Sequence, residues 1–172
     1  MMLEIFKVDD FKKIKSNSEC KLMNNIDFKG RPIKYLIDDF RGIFDGNGYT
    51  LKNITISDDV AYGAQTISLI NTMYKAKVKN LTIENLKFDL TIGNLKVDLD
   101  DLPWDDSPDI STFCGECEYS QITNVQITYD TRIGINFVVQ SNHSIYKKIR
   151  NSNLRKVDEK LILLSYHDIV NN

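Results

Sequence analysis

The sequence predicts an all-β parallel solenoid, a β-helix in which the chain returns to the same place on successive coils. A short phrase, apolar-x-Asn-apolar-x-Ile, occurs three times, at Leu51 to Ile56, Val78 to Ile83 and Ile122 to Ile127. Between such β-forming runs stand turn residues, Asp45-Gly46 and Asn47-Gly48 among them, where a positive φ costs little. The spacing is coil-like: Asn53 to Asn80 spans 27 residues, read as one coil, and Asn80 to Asn124 spans 44, read as two coils or one coil with a long insertion.

At 172 residues and 42% hydrophobic, the chain forms one domain with a continuous core. Residues 1–19 are assigned to an N-terminal cap, 20–140 to the coils and 141–172 to a C-terminal cap. Leu3, Ile5, Phe6, Phe11 and Ile14, mixed with charged residues, predict a short amphipathic helix within 3–16, with Asp9 or Asp10 as its N-cap. Such a cover hides the apolar end of the first coil from water. From Cys20 the text becomes β-type, with runs at Cys20 to Phe28, Ile33 to Ile37 and Phe40 to Thr50. Whole coils match at the offset of 44, which lays Ser68-Leu69-Ile70 over Thr112-Phe113-Cys114 and Ala76 over Ser120. A nine-residue echo, Asn85 to Leu90 against Asn94 to Leu99, predicts a strand, a turn around Gly93 and a second strand. A strand is also expected at Ile133 to Val139, followed by a cap of mixed strand and helix in which Val157, Leu161 and Leu164 share a helical face.

Two stretches, Cys20 to Phe28 and Phe40 to Ile54, give the chain a relationship to known proteins. They are similar to the repeat regions of bacterial parallel β-helix proteins of the pectate-lyase-like and GLUG-repeat type. The resemblance covers a little under half the chain, and it implies a right-handed parallel β-helix. The chain departs from GLUG-type repeats at Ser68-Leu69-Ile70-Asn71, where those repeats continue with a Gly-rich turn. Fold alone does not carry function.

The repeated asparagines are read as structural. Stacked at one bend, Asn53, Asn80 and Asn124 form a ladder that satisfies polar groups the turn leaves unpaired. Cys114-Gly115-Glu116-Cys117 is a Cys-x-x-Cys, but Cys20, His143 and His167 supply no second closely spaced pair for zinc. A redox dithiol favours a helix N-terminus, whereas these cysteines fall on a strand and its following turn, so they are read as small, partly buried residues at a bend. Asp27, Asp38, Asp39 and Asp45 cluster near the first coil with Arg31 and Arg41, a set that suits calcium-assisted chemistry. Asp45-Gly46-Asn47-Gly48 is, however, explained as a turn. No metal, cofactor or catalytic constellation is predicted.

The segment from Asp98 to Asp109 is the strongest functional lead. It holds Asp98, Asp100, Asp101, Asp105, Asp106 and Asp109, two of the three prolines and Trp104, without one Lys or Arg. Lying inside the long interval between repeats, it loops out, with charges that steer approach and an aromatic that supplies desolvated contact area. Lys147, Lys148, Arg150, Arg155, Lys156 and Lys160 form an opposite patch near the C-terminus. Without interleaved aromatics beyond Tyr146, that patch is read as a solvated face, and direct nucleic-acid binding is not expected.

The formal charge of -2 gives no global field toward nucleic acid or membrane. The start carries no basic region followed by an apolar one, and three cysteines fit a reducing compartment, so a cytoplasmic location is expected. Seventeen lysines against five arginines point to AT-rich codons, and so to a low-GC bacterium or one of its phages or other mobile elements. The combined expectation is a non-enzymatic, protein-binding solenoid. Its role is inhibition of a basic or nucleic-acid-handling protein, as in an anti-CRISPR-like counter-defence, and coil edges also permit a homodimer. The alternatives are a carbohydrate-binding or carbohydrate-active β-helix and a structural fragment of a surface solenoid.

Overall fold

The computed structural model describes residues 2–59, 66–92, 95–97, 109–131 and 135–154. Its secondary structure is nearly all strand, and the pairing is predominantly parallel. Leu3 and Ile5 alternate with Glu4 to form β1 (Leu3–Ile5), which lies beside β2 (Glu19–Leu22) with Leu3 opposite Cys20. The cover that follows is a short 3-10 helix over Val8–Lys13, within the 3–16 stretch where a short amphipathic helix was expected. Neither Asp9 nor Asp10 is its N-cap. Lys7 holds that place, and the buried Asp10 carboxylate accepts the Phe6 and Lys7 N–H groups at 3.0 and 3.1 Å. Phe11 points from this turn into the core, with ring centroids 5.7 Å from Phe28 and 6.2 Å from Phe44.

The chain then passes through successive tiers. The first comprises β2, β3 (Ile26–Asp27), β4 (Pro32–Ile33) and β5 (Ile37–Phe40). The second comprises β6 (Ile43–Asp45), β7 (Thr50–Lys52), β8 (Thr55–Asp59), β9 (Thr66–Ile67) and β10 (Ile70–Tyr74). In the third, β11 (Lys77–Ile92) alone pairs along its length with β6, β7 and β8, and β12 (Leu95–Val97) and β13 (Asp109–Glu118) follow. The fourth holds β14 (Gln121–Tyr129) and β15 (Asn136–Asn142), and β16 (Ile145–Asn153) adds a further strand on β14. Residues 141–153 thus finish β15 and continue the principal sheet, while 155–172, with the expected helical face of Val157, Leu161 and Leu164, lie outside the described residues.

Register sets the core columns. Cys20, Phe44, Val78, Ile122 and Tyr146 stack in the principal sheet, at chain intervals of 24, 34, 44 and 24 residues. In the second sheet Ile37, Ile70, Cys114 and Val138 form one column and Phe40, Met73 and Cys117 another, which ends at the exposed Ser141. The offset of 44 is borne out, since Ile70 pairs with Cys114 and the Ala76 N–H donates to Ser120 Oγ at 3.0 Å. Because β11 lies directly against β14, the 44-residue interval is one tier with a long insertion. The nine-residue echo is also borne out as an antiparallel pair, with Leu90 opposite Val97 and Ile92 opposite Leu95. No helix among the described residues is long and apolar enough to cross a membrane.

Candidate functional site

Of the acidic segment, Asp98, Asp100, Asp101, Trp104, Asp105 and Asp106 lie outside the described residues. Its two ends are fixed. Val97 sits opposite Leu90 on the β12 edge, and the exposed Asp109 opens β13 opposite Thr66.

The asparagines form two ladders, which corrects the single ladder of Asn53, Asn80 and Asn124. Asn124 Nδ2 donates to Asn80 Oδ1 at 3.1 Å, and Asn80 Nδ2 donates to Asp45 Oδ1 at 3.2 Å. Asn53 belongs elsewhere: Asn85 Nδ2 donates to Asn53 Oδ1 at 2.8 Å, and Asn53 Nδ2 donates to Asp27 Oδ1 at 2.9 Å. All four asparagines have φ between 55 and 58°, the left-handed region that Asn enters more readily than other side-chain-bearing residues. Each ladder starts at an aspartate that also closes a turn, Asp27 accepting the Lys29 N–H at 2.8 Å and Asp45 the Asn47 N–H at 2.9 Å. The Asn53 amide and the Lys29 N–H hold the Asp27 carboxyl below its ordinary value. At Asp45 partial burial opposes the charge, but Asn47, Lys79 and Asn80 together outweigh it. Replacing Asn80 with alanine removes both side-chain bonds and puts alanine at positive φ, an expected loss of about 2–3 kcal/mol. Glycine there relieves the backbone and is expected to lose only about 1 kcal/mol in urea unfolding.

Cys114 and Cys117 are fully buried rather than partly buried at a bend. They face inward on one strand, and Gly115 between them is packed so tightly against Thr66 and Asn71 that no Cβ fits. Burial pushes the Cys114 thiol up, whereas Cys117 is held below the ordinary thiol value by the Cys114 thiol, against its own burial, with help from the Tyr146, Ser144 and Ser120 hydroxyls. Cys20, also buried, is pushed up to about 11 by desolvation. All three are free thiols. Because burial closes all three to reagents, including Cys117 with its lowered value, native protein is expected to resist a thiol-reactive dye at neutral pH and to release its thiols together on denaturation. Rapid labelling of the native protein would contradict this packing.

The acidic group near the first coil is shared among separate contacts. Asp38 accepts from Asn71 Nδ2 at 2.8 Å, Asp39 accepts from Ser16 Oγ at 2.9 Å and pairs with Arg41 at 3.2 Å, and Arg31 pairs with Asp9 at 3.4 Å. Among the described residues no cluster of three or more His, Cys, Asp or Glu is placed to hold a metal ion. Two clefts flank the Lys34–Tyr35 segment. One, of about 630 Å³, lies under the N-terminal cover between Phe11, Ile14, Phe28, Pro32 and Leu36. The other, of about 330 Å³, is polar, with Asp58, Ser68, Asn71, Thr72 and Glu116 in its wall.

A bend column escaped the sequence reading. Lys75, Tyr119 and His143 all have φ of 50–52° and follow one another across three tiers, with Lys75 N–H donating to Glu118 O and Tyr119 N–H to Asn142 O. Tyr119 stacks on His143 at 5.0 Å and meets Tyr74 edge-on at 5.9 Å. The offset of 44 that matched Ala76 with Ser120 also places Lys75 on Tyr119, so the signal was present. No family model matches this chain, and no curated protein and no solved structure matches it.

Proposed function

We propose that the chain is a right-handed parallel β-helix that acts without catalysis, as a cytoplasmic inhibitor binding a basic or nucleic-acid-handling protein through the acidic segment around Trp104. Its origin in this reading is a phage or other mobile element. The observation that carries the reading is the direct pairing of β11 with β14. That pairing makes the 44-residue interval a single tier with a long insertion, and within the insertion the sequence from Asp98 to Asp109 carries six aspartates and one tryptophan. Affinity capture tests it, comparing wild type with the Trp104→Ala, Asp105→Asn, Asp106→Asn variant on a lysate of the host. A basic protein held by wild type and lost by the variant is expected. Equal retention by both, or none by either, removes the support.

The polar groove beside Lys34 and Tyr35 favours a second reading, a glycan-binding protein, since carboxylates, hydroxyls and an amide line one concave site. That reading predicts saturable binding on a glycan array and its loss in Glu116→Gln.

A further inference from the structure

The outer face of the principal sheet is basic where its last three strands run side by side. Register sets Lys77 beside Gln121 and Ile145, Lys79 beside Thr123 and Lys147, and Thr82 beside Gln126 and Arg150. Lys75, Lys77, Lys79, Lys147, Lys148 and Arg150 are all exposed. Lys79 pairs with Asp45 at 3.1 Å, and the Glu84 carboxylate at this face is engaged by Lys52 at 3.1 Å. Among the described residues Lys77, Lys147, Lys148 and Arg150 have no carboxylate within ion-pair distance. Gln121, Thr123 and Gln126 fill the spaces between them with hydrogen-bonding groups, and Glu118 is the carboxylate nearest the bend in sequence.

One margin of this face is aromatic. Tyr119 and His143 are stacked with their planes 12° apart, Tyr74 stands against Tyr119, and Arg41 and Lys75 lie over the Tyr74 ring at 5.7 and 5.0 Å. Among the described residues no further ring stacks beyond His143. Three strands at about 4.8 Å spacing give a strip roughly 10 Å wide, room for one sugar-phosphate backbone. Cations along a backbone track, bordered by a stacking platform, are the elements of single-strand recognition. The expectation against nucleic acid rested on missing aromatics. Tyr119, distant in sequence from all four cations, meets His143 and supplies them once the tiers are in register.

We propose that this face binds single-stranded nucleic acid, with phosphates on Lys77, Lys147, Lys148 and Arg150 and a base against the Tyr119–His143 step. It is separate from the acidic segment and does not depend on the inhibitor reading.

Fluorescence polarisation with labelled oligo(U) and oligo(dT) of about 20 nucleotides tests it, alongside a duplex of equal length and dextran sulfate as a base-free polyanion. Four phosphate contacts on a single strand predict a log–log salt slope near −3, or about a fifty-fold loss of affinity between about 50 and 200 mM salt. Lys147→Gln with Arg150→Gln is expected to flatten the slope by about 1.4. Tyr119→Asn keeps a residue suited to positive φ and is expected to weaken binding about tenfold at unchanged slope. Lys96→Gln, on β12, leaves binding as it was. All are exposed side chains, and unchanged far-UV circular dichroism confirms folding. Oligo(U) and oligo(dT) share the phosphate and stacking contacts and differ in the 2′-hydroxyl of one and the 5-methyl group of the other, and binding of either supports the proposal. No polarisation change with any strand at low salt overturns it. So does binding indifferent to the double charge variant, or dextran sulfate and duplex competing as well as single strands while Tyr119→Asn has no effect.

Discussion

Replacing Phe44 with alanine is expected to lower the unfolding free energy by about 3–5 kcal/mol. Phe44 is 2% exposed, sits between Cys20 and Val78 in a column that reaches Tyr146, and carries Phe11 against its ring. Truncation leaves a cavity between two tiers and removes the surface on which the N-terminal cover rests, so the surroundings collapse poorly. Phe44→Leu keeps most of the volume and is expected to cost under about 1.5 kcal/mol. Urea unfolding distinguishes the two by midpoint at constant slope. A cost near 1 kcal/mol for the alanine variant would show a column far looser than the register implies.

Gly46→Ala is expected to cost about 3 kcal/mol or more, for a different reason. The Gly46 N–H donates to Lys79 O at 2.8 Å, and a Cβ at this position would lie 2.6 Å from Leu81 Cα and against the Asn80 carbonyl. Both obstacles are backbone, so relief requires β6 and β11 to separate. Gly48, two residues on, makes the contrast: its φ is +77° but nothing lies within 4 Å of an added Cβ. Gly48→Ala therefore carries only the conformational cost of about 1–2 kcal/mol. If the two substitutions prove equal in thermal or urea unfolding, close approach at Gly46 is not the controlling factor.

Much of the all-β, parallel character was legible in the β-type runs that begin at Cys20, in the Asp-Gly and Asn-Gly turns, and in the offset of 44 shared by Ile70 and Ala76. The asparagine register was not. Strand β11 passes two bends, at Asn80 and Asn85, each followed by leucine, and the phrase around Asn53 matches the first in full and the second in all but its last place, where Phe88 stands for Ile. The preceding tier turns through Gly46 to Tyr49 where β11 uses only Asn80 and Leu81, and that difference moves Asn53 onto Asn85. Local similarity cannot count residues a neighbouring tier spends in its bend. Strand β1 was not foreseen because apolar residues at 3, 5 and 6 fit a helical face as well as an edge strand, and pairing with Cys20 and Leu22 decides for the strand. The Tyr119–His143 step was missed because its members are 24 residues apart and meet only through strand register.

The register has a kinetic consequence. Partners along the principal sheet, from Leu3 and Cys20 to Ile122 and Tyr146, are separated by 17 to 44 residues of chain. The one antiparallel pairing among the described residues, β11 with β12, is instead local. Hairpins close in about 1–10 μs, whereas folds dominated by distant pairings take milliseconds to seconds, because loop entropy is lost before contacts compensate it. The β11–β12 turn therefore forms and dissolves many times before β11 captures β8 or β14, and the search for that first distant partner sets the rate at which this chain reaches its native state.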